Sequence, residues 1–216
     1  MLKQSSAGFT LVEVMVTIFV VAVGLLGAAA MQAASKKAAF DAIQRSNATV
    51  LAQEIIERMR GNTAALDTYQ KAATEMKTPP PAVDCSPGKV CTPTQIANFD
   101  IYQWWLGLNG DGETFGTGTS AAGGLRNPTA CIQRSATASN PATLLPGCRV
   151  AVVIAWRGLT TQSSAALGST DPLNNPCGVT NPAYSDPAST SNSYRRVLII
   201  NTNLDQGINP SLANAC

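Results

Sequence analysis

The chain has 216 residues, a formal net charge of +2 and no histidine. Charged residues are 13% of it, about half the usual share for a soluble domain. There is no basic excess to neutralise nucleic-acid phosphates, and the commonest general base and metal ligand is missing.

The first element is apolar. After the single basic residue Lys3 and the acid Glu13, the stretch Val14–Ser35 carries no charge and no proline. A helix over it is about 33 Å long at about 1.5 Å per residue, enough to cross a hydrocarbon core of about 30 Å. Gly24 and Gly27 weaken it by about 1 kcal/mol each relative to alanine. Helical patterning then continues past Lys36 and Lys37: Ala48, Leu51, Ala52, Ile55 and Met59 fall on one stripe. Asp41 with Arg45 and Glu54 with Arg58 are spaced i,i+4 in the favourable acid-first order. Arg58 and Arg60 suit the C-terminal dipole, and Gly61-Asn62 is a stop signal. The pattern predicts one continuous helix of about fifty residues, half of it apolar all round and half amphipathic.

Glu13 is the anomaly in that helix. A charged side chain inside a span costs about 2.5–3.5 kcal/mol on insertion scales, so it needs an interface, a partner or a function. Its context is "AGFTLVEVMVTIFVVAVGLLGAAA", which resembles the N-terminal segment of type IV pilins and pseudopilins. The resemblance implies a leader over 1–8, cut after Gly8 by a prepilin peptidase, and N-methylation of the new N-terminal Phe9. It also implies that Glu13 meets the N-terminal ammonium of a neighbouring subunit during assembly. The implied division is leader 1–8, transmembrane half-helix 9–35, amphipathic half-helix 36–61 and a periplasmic or extracellular head 62–216. An ordinary secretory signal is the rival, since "GAAAMQAAS" offers alanines at cleavage spacing. The apolar length, the acid within it and the helix running on through the scissile region argue against it.

Thr63–Val90 reads as turn-rich, with Pro79-Pro80-Pro81 as a stiff linker. Thr92, Pro93 and Gln95 then form a capping-box start, and Ala97, Ile101, Trp104, Trp105 and Leu108 an apolar stripe, predicting a core helix. Asn109, Asp111 and Glu113 place oxygens at alternate positions of a glycine-rich loop; this is a weak calcium candidate that lacks full EF-hand spacing, and a plain turn is the simpler expectation. Strands are expected around Ala130–Arg134, over Arg149–Gly158 and over Tyr194–Leu204, with a polar surface loop carrying Cys177 between the last two. These elements predict an α+β fold: the long helix on a small antiparallel sheet, with an extra short helix.

The six cysteines, Cys85, Cys91, Cys131, Cys148, Cys177 and Cys216, all follow the apolar segment and include no CxxC pair. Disulfides in an oxidising compartment are expected, rather than zinc. The expected pairs are Cys85–Cys91 closing a short loop, Cys131–Cys148 tying adjacent strands, and Cys177–Cys216 pinning loop to terminus. No nucleophile–base pair, metal cluster or phosphate loop is found, so neither catalysis nor a cofactor is expected.

"RMRGN", "CTPTQIANFDIYQWW", "VVIAWRG" and "CG" followed by "YRRVLII" resemble the PilV branch, the type IV pilus modification proteins. That resemblance implies a minor pilin that primes pilus assembly and rides near the tip, supporting adhesion, twitching motility and DNA uptake. Its implied partners are other minor pilins, the major pilin, the prepilin peptidase, the inner-membrane assembly platform and a tip adhesin; nucleic acid is not an expected direct partner. Its implied location is the bacterial inner membrane, with the head in the periplasm, and then the pilus. A type II secretion minor pseudopilin and a secreted disulfide-bonded binding protein are the alternatives.

Overall fold

The computed structural model describes residues 8–70, 82–86, 88–111, 123–136, 147–162, 175–187 and 191–205. The chain divides into two units, Met1–Asp41 and Ala42–Cys216. Helix α1, Leu11–Gly61, begins in the first and ends in the second without interruption. In the first unit it presents Val16, Phe19, Val20, Val23 and Leu26 to the outside. It is long and apolar enough to cross a membrane, and none of its most apolar window is buried within the chain.

Past residue 41 the amphipathic stripe decides what α1 touches. Ala48, Ala52, Ile55 and Met59 are fully buried, joined by Ile56, while Leu51 lies at the margin. A 3-10 turn over Thr63–Ala65 leads into the short helix α2, Leu66–Tyr69, which buries Leu66 and Tyr69. The sequence reading expects only turns here; tertiary packing recruits the i,i+3 pair of Leu66 and Tyr69 into the core. The Pro79–Pro81 linker lies outside the described residues.

Helix α3, Pro93–Asn109, starts as the sequence predicts. The Thr92 hydroxyl accepts from the Gln95 amide at 3.3 Å, and the Gln95 side chain accepts from the Thr92 amide at 2.9 Å. It ends on Gly110 at φ 76°, a left-handed position that favours glycine. Ala97, Ile101, Trp104 and Leu108 are buried against α1, and the Trp104 indole N–H donates to the Leu51 carbonyl at 2.8 Å. This is a core stripe, and it satisfies the one polar atom of Trp104.

The sheet has three antiparallel strands, β1 (Thr129–Ala136), β2 (Gly147–Arg157) and β3 (Arg195–Asp205), in the order β1-β2-β3. Their two-residue period sorts two layers. Val150, Val152, Ile154 and Trp156 join the main core with Ala130, Ile132 and Leu204. Val153 faces the other way and packs with Cys131 and Cys177. The long helix, α3 and the small antiparallel sheet make this the α+β, type IV pilin-like architecture that the sequence predicts.

Two sequence expectations are corrected here. Cys85–Cys91 forms as expected, but Cys131 bonds Cys177, not Cys148. The register explains why: Cys131 stands opposite Val153, five positions along β2 from Cys148. That is about 17 Å along the strand, too far for a disulfide. The pairing of Cys177 with Cys216 is excluded for the same reason, because Cys177 is taken. Of the two cysteines that remain, Cys148 lies in β2 opposite Ala136 and Leu204, while Cys216 lies outside the described residues.

The second correction concerns the polar loop around Cys177, which is partly core. Cys177 and Tyr184 are buried under the second sheet face. The Tyr184 hydroxyl bonds the Asn127 carbonyl at 2.7 Å, the Thr129 hydroxyl at 3.0 Å and the Ala155 carbonyl at 3.0 Å. The buried Arg195 guanidinium donates to the carbonyls of Asn175 and Cys177. A segment this polar covers a sheet because its own backbone and side chains are satisfied there.

Candidate assembly site

Gly8, Phe9 and Thr10 precede α1, and Phe9 is 82% exposed. Thr10 is the N-cap: its hydroxyl accepts from the Glu13 amide at 3.3 Å and its carbonyl accepts from the amides of Glu13 (3.1 Å) and Val14 (3.3 Å). Thr10 and Glu13 have capping-box spacing, yet only half of a box forms. Among the described residues, no donor reaches the Glu13 carboxylate. The hydroxyl of Thr17, by contrast, is satisfied within the helix by the Val14 carbonyl at 2.8 Å. Glu13 lies in the first turn of α1, about 6 Å of helix rise from Phe9. A carboxylate without a donor among the described residues, close to the exposed Phe9 and on a helix apolar all round, is suited to meeting a cation from outside the chain.

In the second unit, polar side chains lock the end of α1 to α2 and α3. Arg58 holds Glu54 at 2.7 Å and Asp100 at 3.0 Å. Asp100, almost fully buried, also accepts from the Tyr69 hydroxyl. Asn62 donates to the Pro93 carbonyl at 2.7 Å. Burial, reinforced by the Asp100 carboxylate, pushes the Tyr69 phenol well above its ordinary value. Higher on α1, Gln44 bridges the segment after α3, donating to the Gly124 carbonyl at 3.2 Å and accepting from the Arg126 amide at 2.9 Å.

The Glu54–Arg58 pair is legible from its spacing, whereas Asp100, Tyr69 and Gln44 are missed by the sequence reading. A signal existed for Asp100: it lies on the same helical face as Ala97, Ile101 and Trp104, and an acid within an apolar stripe implies a buried partner. In the Cys85–Cys91 loop, Asp84 accepts from Lys89 at 2.7 Å and from the Ser86 hydroxyl at 2.7 Å. Lys89 first, then Ser86, hold the Asp84 carboxyl well below the usual carboxylate range. Of the calcium candidates, Asn109 ends α3 with its amide donating to the Trp105 carbonyl at 2.9 Å. Asp111 is exposed, and Glu113 lies outside the described residues.

An unburied apolar helix with one acid near its start, continuing into a small α+β body, is a type IV pilin-like architecture with a helix long and apolar enough to cross a membrane. Comparison with family models narrows that class. Residues 3–29 match the prokaryotic N-terminal methylation motif, and residues 30–102 match type IV pilin Tt1218. Over these residues the chain is similar to type IV pilins and to the methylation motif. No curated protein and no solved structure matches it.

Proposed function

We propose that the chain is a minor pilin of the PilV type, which helps prime pilus assembly with other minor pilins and is carried near the pilus tip. The peptidase cuts between Gly8 and Phe9, Phe9 is N-methylated, and residues 9–35 anchor the subunit in the inner membrane. Residues 36–61 and the head 62–216 remain outside until the assembly platform extracts the subunit. The major pilin packs behind it, and a tip adhesin and twitching motility depend on it.

The observation that carries this reading is Glu13, whose carboxylate is not consumed by its own helix cap. The N-terminal ammonium of a neighbour and this carboxylate attract strongly in a low-dielectric medium, which draws a subunit into axial register.

Two experiments test it. Terminal mass spectrometry of the protein from its host should find a chain starting at methylated Phe9; a start after Ala30 or Ala33 overturns the reading. Glu13→Gln keeps the size of the side chain but removes its charge. It should be processed and membrane-resident yet reduce pilus number as severely as Glu13→Ala. Wild-type pilus numbers for Glu13→Gln would overturn the role of the Glu13 charge in assembly.

A further inference from the structure

The register of the sheet fixes which backbone groups of β3 look outward. The Gly158 amide donates to the Tyr194 carbonyl at 2.8 Å, one step beyond the Arg157–Arg195 pair. Even-numbered residues of β3 therefore turn their N–H and C=O toward β2, and odd-numbered ones turn theirs away. Because β3 ends the order β1-β2-β3, the outward groups of Val197, Ile199, Asn201 and Asn203 lie on a sheet edge. Among the described residues, nothing donates to or accepts from them on that side.

Edge strands are ordinarily blunted by shortness, proline, lysine, a bulge or a covering segment. β3 is 11 residues long and contains neither proline nor lysine. Its pairing with β2 runs from Gly147–Asp205 to Arg157–Arg195 without a bulge. Its centre, Val197-Leu198-Ile199-Ile200, is apolar and only half-buried. Val197 and Ile199 border the cluster around Cys131 and Cys177, and Leu198 and Ile200 border the main core. Among the described residues, both apolar layers of the sheet thus stop at this edge without a covering segment.

Further along the strand the chemistry changes. Arg149, Asn201, Thr202 and Asn203 line an open cleft of about 440 Å³. Arg149 is exposed, stands opposite Asn203 across the β2–β3 pair, and among the described residues has no acidic partner. A strand added beside Asn203 is about 10 Å from the β2 backbone, a gap that arginine and glutamate side chains reaching over an asparagine can close.

We propose that β3 accepts an extended segment of another polypeptide as a fourth strand. That segment is apolar on both faces where it passes Val197–Ile200 and carries a carboxylate where it passes Asn201–Asn203. The backbone groups supply affinity and the side-chain pattern supplies selection. A second copy of β3 fits poorly: odd residues must face odd ones, and the two registers nearest to matching the apolar runs, with Val197 opposite Ile199 or Asn201, set its Arg195 beside Asn201 or Asn203, on the face of Arg149, like charge against like. The inference rests on the sheet edge alone and stands whether or not the chain is a minor pilin.

The test uses the full chain in detergent micelles and a synthetic octapeptide. The peptide reads threonine, four alternating valines and isoleucines, two threonines, glutamate, which sets the glutamate level with Asn203 on the face of Arg149; its reverse sequence is used as well, to cover both strand directions. Hydrogen exchange over 195–205 should show the outward amides unprotected in the free chain and protected on adding one of the peptides. N-methylating the peptide amides on its inward edge should abolish binding, and N-methylating the outward set should leave it. Arg149→Glu should weaken binding at least tenfold, with recovery when lysine replaces the peptide glutamate. Ile199→Pro, which spares every bond to β2, should weaken it as much, but the N-methylated peptides decide the matter even if that variant misfolds. The proposal is overturned if neither peptide binds, if N-methylation makes no difference, or if the edge is already protected in the monomeric chain. Protection that rises with protein concentration without peptide overturns it too, in favour of a second copy.

Discussion

Replacing Asp100 by alanine tests whether the polar joint between α1, α2 and α3 holds the head together. Asp100 accepts from Arg58 at 3.0 Å and from Tyr69. Hydrogen bonds to a charged group contribute about 1.5–3 kcal/mol each. The Arg58 share must be discounted, because its side chain is 30% exposed and keeps Glu54 after the substitution. The Tyr69 share should be nearly full, since that residue is completely buried and only the donor Asn62 at 3.5 Å remains beside its hydroxyl. The expected loss is about 3 kcal/mol for Asp100→Ala, and about 1–2 kcal/mol for Asp100→Asn, which retains one acceptor. Urea unfolding of the full chain in micelles measures it, with Trp104 as the reporter, because its indole is buried and bonded to Leu51. Adding Tyr69→Phe to each background completes a double-mutant cycle, with a coupling of about 1–2 kcal/mol expected. A loss under about 0.5 kcal/mol for Asp100→Ala, or no coupling to Tyr69, would refute the idea that this joint is stabilising. If the alanine variant does not fold, Asp100→Asn and Tyr69→Phe alone still give the comparison.

Three further outcomes are expected. Peptide mapping without reduction should link Cys131 to Cys177, and replacing both by alanine should cost up to about 4 kcal/mol on the chain-entropy estimate for a separation of 46 residues; a Cys131–Cys148 peptide would refute the register. Of the four tyrosines, Tyr69 should resist ionisation in an alkaline absorbance titration. Its raised pKa stabilises the fold fully below about pH 10, and that stability is lost as pH rises beyond the unfolded value; four tyrosines titrating together near pH 10 in folded protein would contradict this. Gly178→Ala should cost about 2–4 kcal/mol by thermal melting, because φ is +78° and the new Cβ would sit 2.9 Å from the Tyr184 ring; a melting temperature unchanged from the parent would show that the loop under the sheet yields freely.

Local pattern carried much of this protein. A 3.6-residue stripe is visible wherever one face of a helix is buried, so Ala48, Ala52, Ile55 and Met59, and again Ala97, Ile101, Trp104 and Leu108, were readable before any coordinates. The capping box at Thr92 and the β-branched runs of β2 and β3 depend on near neighbours in the chain, and they too were legible. Glu13 stood out as well, because an acid in an apolar helix is anomalous on composition alone, whereas the roles of Gly8 and Phe9 rest on the resemblance of their motif. What only the tertiary structure decided were the long-range pairings. The partner of Cys131 depends on strand register, and register depends on how two strands meet. Asp100 and Tyr69 find each other across 31 residues of chain, which no local spacing encodes. The loop around Cys177 reads as polar surface, yet it covers a sheet face because its polar groups are satisfied there by distant strands. The position of β3 is likewise a property of strand order, which sets this apolar strand at the edge of the sheet among the described residues.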